Sequence, residues 1–188
     1  MGYRRWWLLV AASFGVLVMS ACGSTTSPDP SSPDATLELT SAAFGRSESI
    51  PQTYTCDGED ISPPLSWGDP PEGTESFALI LDDPDAPVGT WVHWVLFNIP
   101  ADRRSLPEGI PARDQLSDGS LHGQNSWKRN DYGGPCPPSG STHRYVLMLY
   151  ALDTTLDLEA GATKRNVLKA MDGHVLAEGE LTVQYSRQ

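Results

Sequence analysis

Proline and glycine divide this chain into short apolar runs, and that spacing limits the kind of fold that the chain can form. The sequence holds 16 prolines and 17 glycines among 188 residues. Proline lacks an amide donor and ends helices, and glycine favours turns. Long helices are therefore not expected over most of the chain. A chain of this length predicts one domain with a substantial buried core.

The apolar runs between these breaks have the composition of β-strands. Residues 76–83 (SFALILDD), 91–100 (WVHWVLFNIP) and 143–153 (HRYVLMLYALD) are compact and rich in β-formers, and residues 36–44 and 180–186 alternate apolar with polar side chains. Runs of this length that are bounded by turn residues predict strands.

One segment near the end of the chain predicts a helix. Thr163 is a suitable N-cap for the run KRNVLKAMDG, in which Val167, Leu168 and Met171 fall on one face and Gly173 is a typical C-terminal stop. Strands and helices do not alternate along the chain, which argues against a parallel βαβ sheet. The pattern predicts a mainly β, antiparallel domain with one or two short helices.

The first 21 residues have the pattern of a secretory signal peptide. Arg4 and Arg5 precede an apolar run from Trp6 to Met19, which is too short and wrongly flanked for a stable transmembrane helix. The ending VMSAC resembles a bacterial lipobox, in which small residues precede a cysteine that receives a diacylglycerol group after cleavage. We therefore expect Cys22 to be the lipidated N-terminus. A plain signal peptide with an incidental cysteine is the alternative.

Residues 22–36 are rich in Ser, Thr and Pro and almost free of apolar side chains. Such a segment cannot bury enough surface to fold, so it predicts a disordered tether in front of a domain at residues 37–188. Lipid and tether together predict a protein that is exported and anchored to the outer face of the bacterial cell membrane.

The acidic charge balance argues against one class of partner. The formal net charge is −11, and the loss of Arg4 and Arg5 with the signal peptide lowers it to about −13. No run rich in Lys and Arg is present, so we expect no nucleic-acid partner.

Two cysteines remain after Cys22, namely Cys56 and Cys136. An exported compartment permits a disulfide between them. That bond would close a loop of about 80 residues and stabilise the fold by up to about 4 kcal/mol in the chain-entropy model. A free, reactive thiol at Cys136 is the alternative, because the sequence does not give the distance between the two residues.

Polar side chains stand at or near the ends of three predicted strands. Asp83 and Asp85 lie at a proline-stiffened turn, His93 lies inside an apolar run, and His143 and Tyr145 share a face at a strand entry. A buried histidine is costly unless it is hydrogen-bonded. Taken singly, each residue also has a structural explanation as a capping aspartate, a satisfied core histidine or a strand-end tyrosine.

The same period of two predicts which neighbours share a face with each histidine. It places His93 with Trp91, Val95 and Phe97. It places His143 and Tyr145 with the apolar residues that follow them at alternate positions.

Three separated motifs resemble signatures of the phosphatidylethanolamine-binding protein (PEBP) family. They are DPDAP at 83–87, WVHW at 91–94 and GPCPPSGSTHRY at 134–145, and they occur in the family's order. The stretches YTCDGEDISPPLSW and AMDGHVLAEGEL resemble its bacterial, Raf-kinase-inhibitor-like branch. The resemblance extends from Leu37 to Tyr185 and implies a Greek-key β-sandwich of two antiparallel sheets with short helices.

The resemblance also implies a small, preformed anion pocket at one end of the sandwich. Position by position, its ligand-binding residues are Asp83, Asp85, His93, Gly134, Pro135, His143 and Tyr145. Imidazoles, a phenol and backbone N–H groups can donate hydrogen bonds to phosphate oxygens. Asp83 can fix a histidine tautomer or accept a hydrogen bond from a ligand ammonium group. We expect no cofactor and no metal ion. A metal site that uses the same His and Asp residues is an alternative with a weak signal, because H-x-x-x-H and C-x-x-C spacings are absent.

The sequence therefore predicts a lipid-anchored binding protein for a small anion, either a phosphate-type ligand or a phospholipid head group. A regulatory or inhibitor role toward a protein partner stays open. The alternative is a hydrolase or acyl-transfer enzyme that uses Asp83, His93 and His143 around a Cys136 thiolate. No G-x-S-x-G nucleophile elbow is present, so we expect a protein that is not an enzyme.

Overall fold

The structure, a computed structural model, describes Gly2 and residues 35–188. The predicted lipidation site at Cys22 lies outside the described residues, as do nearly all of the predicted signal peptide and tether. Within the described part of the chain, no helix is long and apolar enough to cross a membrane.

The described residues form nine strands, one α-helix and one turn of 3-10 helix at Gln52–Tyr54. The strands and the helix are β1 (Ala35–Thr36), β2 (Leu39–Thr40), β3 (Leu65–Trp67), β4 (Ser76–Asp83), β5 (Trp91–Pro100), β6 (Ser105–Leu106), β7 (Leu121–His122), β8 (Thr142–Leu152), α1 (Lys164–Met171) and β9 (Val175–Ser186).

These strands form two sheets. The larger sheet has six strands in the order β1-β9-β8-β4-β5-β7, and the smaller has three in the order β2-β3-β6. Every pairing between these strands is antiparallel except that of β1 with β9. The predicted mainly β fold, with two antiparallel sheets and a short helix, is confirmed.

The start of the domain differs from the single strand predicted over residues 36–44. The chain there changes sheets, because β1 pairs with β9 in the larger sheet and β2 pairs with β3 in the smaller one. The crossing passes close to Gly179, where a Cβ atom would lie 2.7 Å from the carbonyl oxygen of Leu37. A glycine is required at that contact. β1 consists of Ala35–Thr36, which are the last two residues of the segment predicted as a tether.

Side chains of the larger sheet fill two apolar clusters, one on each face. The inter-sheet cluster lies between the sheets and includes Tyr145, Leu147 and Leu149 of β8, as their predicted shared face requires. The helix-side cluster lies under α1 and includes Val95 and Phe97 of β5. Strands that are covered on both faces are apolar throughout, which explains the continuous apolar runs in the sequence.

The predicted helix forms over α1. The hydroxyl of Thr163 accepts a hydrogen bond from the backbone N–H of Asn166, as an N-cap does. Val167 and Met171 are buried in the helix-side cluster, whereas Leu168 is 37% exposed. Leu168 was expected on the buried face, but it lies at the edge of that face and borders solvent.

A β-bulge at His93 changes the face expected for this histidine. Leu81 is paired with Trp94 and Asp82 with Val92, so His93 is an extra residue on β5 with no partner on β4. A bulge of this kind interrupts the alternation of side chains and re-aims the extra one. The expectation that His93 shares a face with Val95 is therefore wrong.

Candidate functional site

The register of the larger sheet gathers three strand ends at one place. β4 ends at Asp83, and its neighbours β5 and β8 run antiparallel to it, so both begin at that end. Asp83 is paired with Trp91, and Asp82 is paired with Val146. Residues that are far apart in sequence therefore converge at one end of these three neighbouring strands.

A cavity of about 330 Å³ lies at this end of the strands, and we call it the strand-end pocket. Its polar lining residues are Asp83, His93, His143 and Arg187. Three of these four residues were predicted from the sequence. The fourth, Arg187, was not.

Asp83 and His143 form a buried pair in the strand-end pocket. His143 Nδ1 lies 2.7 Å from Asp83 Oδ2, and the other carboxylate oxygen accepts a hydrogen bond from the backbone N–H of Asp85 at 2.9 Å. The carboxylate fixes the proton of His143 on Nδ1. Nε2 of His143 is then the ring nitrogen left for a ligand, since it bonds to no other described residue.

His93 is held by a backbone carbonyl instead of a carboxylate. Its Nδ1 donates to Gly133 O at 2.7 Å, and its ring stands edge-on to Trp127 and Tyr145 at centroid distances of 5.0 and 5.2 Å. Burial lowers the pKa of His93, so the ring is neutral at physiological pH. A neutral ring that donates through Nδ1 has an acceptor at Nε2, which suits a protonated ligand oxygen.

Asp85 lies beside the strand-end pocket and not in its lining. Its carboxylate makes a bidentate pair with the guanidinium of Arg144, with contacts of 2.9 and 2.6 Å. The side-chain and backbone hydrogen bonds from Arg144 lower the pKa of Asp85 to about 2. The residue fixes the turn after β4 against the start of β8.

Gly134 and Pro135 also support the pocket without lining it. The backbone N–H of Gly134 donates to Asp60 Oδ1 at 2.7 Å, and Pro135 O accepts from the backbone N–H of Cys56 at 3.2 Å. The amide expected to face an anion is thus already occupied. At Gly134 a Cβ atom would lie 2.4 Å from Tyr54 O, so the loop requires glycine for close packing.

Tyr145 lies beneath the pocket. Its side chain is fully buried, and its hydroxyl forms no hydrogen bond with any described residue. Burial and the neighbouring carboxylate of Asp83 raise the pKa of Tyr145 far above its ordinary value. The ring supports His93 from below, as the edge-on contact between them shows.

A disulfide joins Cys56 to Cys136, with 5.4 Å between their Cα atoms. This is the pairing favoured by the sequence over a free thiol. Cys136 lines the strand-end pocket, so the bond fixes one wall of the cavity to the segment after the 3-10 turn.

Apolar side chains form the rest of the pocket. Pro87, Val88, Trp91, Trp127 and Pro138 are among them. The rings of Trp91 and Trp127 meet edge-on at 5.4 Å, and Val88 is 76% exposed at the tip of its turn. The pocket therefore combines polar groups with an apolar wall.

No group of three or more His, Cys, Asp or Glu side chains in the described part of the chain is arranged to hold a metal ion. The polar lining of the pocket consists instead of an Asp–His pair, a neutral imidazole and a guanidinium.

Comparison with known proteins gives the family. The family model described as phosphatidylethanolamine-binding protein matches residues 40–186. The chain belongs to this family. The motifs that carried the resemblance lie around the strand-end pocket in the structure.

Two UPF0098 proteins are similar to this chain over nearly all of the described domain. A UPF0098 protein from Methanothermobacter thermautotrophicus is 55% identical over 151 residues, which is 80% of this chain and 99% of the relative. A UPF0098 protein from Aquifex aeolicus is 46% identical and covers 81% of this chain and 90% of its own length.

Two solved structures share the fold. The structure of a PEBP homologue from Chlamydia trachomatis has a TM-score of 0.75 and is 39% identical in sequence. The match covers 82% of this chain and all of the homologue. That of YbcL from E. coli, described as a member of the mammalian PEBP family, has a TM-score of 0.76 and 32% identity over the same shares.

Sequence reasoning missed Trp127 and Arg187, which both line the pocket. Trp127 lies in a turn outside the motifs, and Arg187 follows the last strand as a single basic residue. Neither position has a local pattern that predicts a site. Trp91, by contrast, stands in the WVHW motif, so the sequence could have placed it at the site.

Proposed function

We propose that this protein binds a small anionic ligand of the phosphate type in the strand-end pocket. The observation that carries the proposal is the pair of imidazoles that line one cavity while each is fixed through Nδ1. Fixing Nδ1 leaves Nε2 of both rings for a ligand. A phosphate oxygen that carries a proton can donate to His93, and an unprotonated one can accept from a protonated His143.

Asp83 holds the His143 ring in place for the anion. Its carboxylate lies 2.7 Å from His143 Nδ1. Because that contact occupies Nδ1, Nε2 is the ring nitrogen that stays available to a ligand in the cavity that His143 lines.

The disulfide supports a binding role over the enzyme alternative. That alternative used Cys136 as the nucleophile, and Cys136 is bonded to Cys56. A disulfide sulfur is not a thiolate and cannot attack an acyl group as one. The apolar wall of Trp91 and Trp127 instead suits the organic part of a phosphate ester, such as a phospholipid head group.

We further propose that the domain acts at the outer face of a bacterial cell membrane, held by a lipid on Cys22. The support for this is the signal pattern of residues 1–21 and the lipobox-like VMSAC. A fully extended chain from Cys22 to Ala35 spans at most about 45 Å. Such an anchor would keep the pocket near the head groups of the membrane, where any protein partner of a regulatory role would also meet it.

Titration with phosphate and with phosphorylethanolamine, followed by NMR chemical shifts at pH 5.5, 6.5 and 8, tests the proposed ligand class. His143→Asn removes the ring nitrogen Nε2 that is available to the ligand and should weaken phosphate binding by about tenfold or more.

His174→Asn is the matched control for this titration. His174 also faces a carboxylate, Asp153, at 2.8 Å, but this pair is exposed and its residues do not line the strand-end pocket. The control should bind phosphate like wild type. Equal affinities for His143→Asn and His174→Asn would show that the pocket is not the anion site.

A further inference from the structure

Arg187 reaches the strand-end pocket through the register of the last two strands. Thr142 is paired with Ser186, so the end of β9 lies beside the start of β8. The backbone N–H of Arg187 then donates to Ser141 O at 3.2 Å. The antiparallel pairing of β8 with β9 therefore brings Arg187 to the same end of the sheet as the pocket histidines.

The side chain of Arg187 is held in place by a carboxylate. Its Nε donates to Asp57 Oδ1 at 3.0 Å, while Asp57 Oδ2 accepts a hydrogen bond from the hydroxyl of Tyr185 at 2.8 Å. A terminal guanidinium nitrogen lies 3.7 Å from Cys136 Sγ. The guanidinium thus rests against the disulfide that forms one wall of the cavity. Three of its five N–H donors bond to no acceptor among residues 35–188.

The charges at the pocket explain why a permanent cation matters there. Asp83 contributes a buried negative charge, and His93 is neutral because burial lowers its pKa. An imidazole carries a full positive charge only at acid pH, whereas a guanidinium stays protonated at every accessible pH. Arg187 is therefore the pocket-lining residue whose positive charge does not depend on pH in this range.

We propose that Arg187 is a specificity-determining residue of the strand-end pocket, whose guanidinium pairs directly with the oxyanion of the ligand. This inference rests on the proposed function and adds the group that selects an anion over a neutral or cationic molecule. A guanidinium presents parallel N–H groups that match two oxygens of a phosphate. Asp57 is the positioning residue, because it orients the guanidinium without lining the cavity.

The test compares inorganic phosphate binding to wild type, Arg187→Gln, Arg187→Lys and Arg46→Gln at pH 6 and pH 8. Arg46 pairs with Glu180 on an exposed surface outside the pocket, so Arg46→Gln makes the same change in net charge elsewhere. Arg187→Gln should lose about tenfold or more at both pH values. Arg187→Lys keeps the charge and should recover part of that loss.

Arg187→Gln should weaken binding at both pH values, because a guanidinium stays protonated over the whole of this range. Wild-type protein that binds no phosphate would overturn the proposed function and this inference together. Wild-type binding with equal affinities for Arg187→Gln and Arg46→Gln would overturn the assignment of Arg187 alone.

A second measurement needs no variant. Phenylglyoxal modifies exposed arginine side chains, and both Arg187 and Arg46 are partly exposed. Saturating phosphate should protect Arg187 from modification and leave Arg46 unprotected, as read by mass spectrometry of peptides. Equal modification of Arg187 with and without phosphate would contradict direct pairing.

Discussion

Tyr145 combines a buried ring with a hydroxyl that has no hydrogen-bond partner among the described residues. A buried, unsatisfied hydroxyl costs about 1 to 3 kcal/mol, and its removal without loss of volume recovers part of that cost. Tyr145→Phe should therefore not lower the free energy of unfolding, measured by urea denaturation. Phosphate affinity should stay within about twofold of wild type. A large loss of affinity would show that the hydroxyl reaches the ligand, as the family resemblance implies.

His93 makes the stability of the domain depend on pH. Burial lowers the pKa of His93, so below the ordinary histidine value of about 6.5 the unfolded chain binds a proton that the folded chain does not. Stability rises with pH wherever the unfolded state binds more protons. The free energy of unfolding should therefore fall as the pH drops from about 7 toward 5.

The variant His93→Gln isolates this contribution. Its loss of stability between pH 7 and pH 5 should be smaller than that of wild type, although His122, whose pKa burial also lowers, keeps part of the slope. Identical slopes in wild type and His93→Gln would contradict the buried, neutral state of this ring.

The sequence identified three polar pocket residues that stand in motifs and missed Arg187, which only the fold brings to the pocket. Asp83, His93 and His143 each lie within a recognisable pattern, and all three line the pocket. Arg187 has no such pattern, because its position depends on the pairing of β9 with β8. A long-range register is invisible in the local sequence around Arg187.

The strands themselves were predictable because periodicity and turn residues are local signals. β4 and β5 have the predicted bounds, and β8 differs by one residue at each end. The bulge at His93 was not predictable, because it is a mismatch between two strands and neither strand alone contains it. The same limit applies to the sheet change after β1, which follows from the pairing with β9.

The disulfide connects the loop at Cys136 to the segment that holds Asp57, which in turn positions Arg187. Cys56→Ser and Cys136→Ser should each lower the free energy of unfolding, by up to about 4 kcal/mol for a loop of this length. The double variant should be little worse than either single one, because all three lose the same bond. Urea denaturation measures these differences.

The thiol content of the wild-type protein is an independent check on this bond. The folded, non-reduced domain should contain no free thiol at Cys56 or Cys136. Each serine variant should also bind phosphate more weakly, since Cys136 lines the pocket. Quantitative alkylation of both cysteines in the native protein would show that both are free thiols. The enzyme alternative, which needs a Cys136 thiolate, would then stand again.

At the scale of the whole molecule, the pocket and the predicted anchor belong to separate parts of the chain. The pocket is formed by residues 83–187 and supported from Asp57, whereas the predicted lipid site precedes the described domain. The two should therefore be separable by mutation. Cys22→Ser should move the protein from the membrane fraction to the soluble fraction of a bacterial host while leaving phosphate affinity unchanged.

Cys136→Ser is the matched control for that fractionation, because it makes the same chemical change within the domain. It should stay in the membrane fraction and lose affinity, the reverse of Cys22→Ser. The two variants should behave in opposite ways because a lipid on Cys22 would supply membrane affinity through its buried CH₂ groups. That lipid would make no contact in the pocket, so its loss should leave phosphate affinity unchanged. Retention of Cys22→Ser in the membrane fraction would refute the lipobox interpretation, and an anchor of another kind would then have to hold the domain.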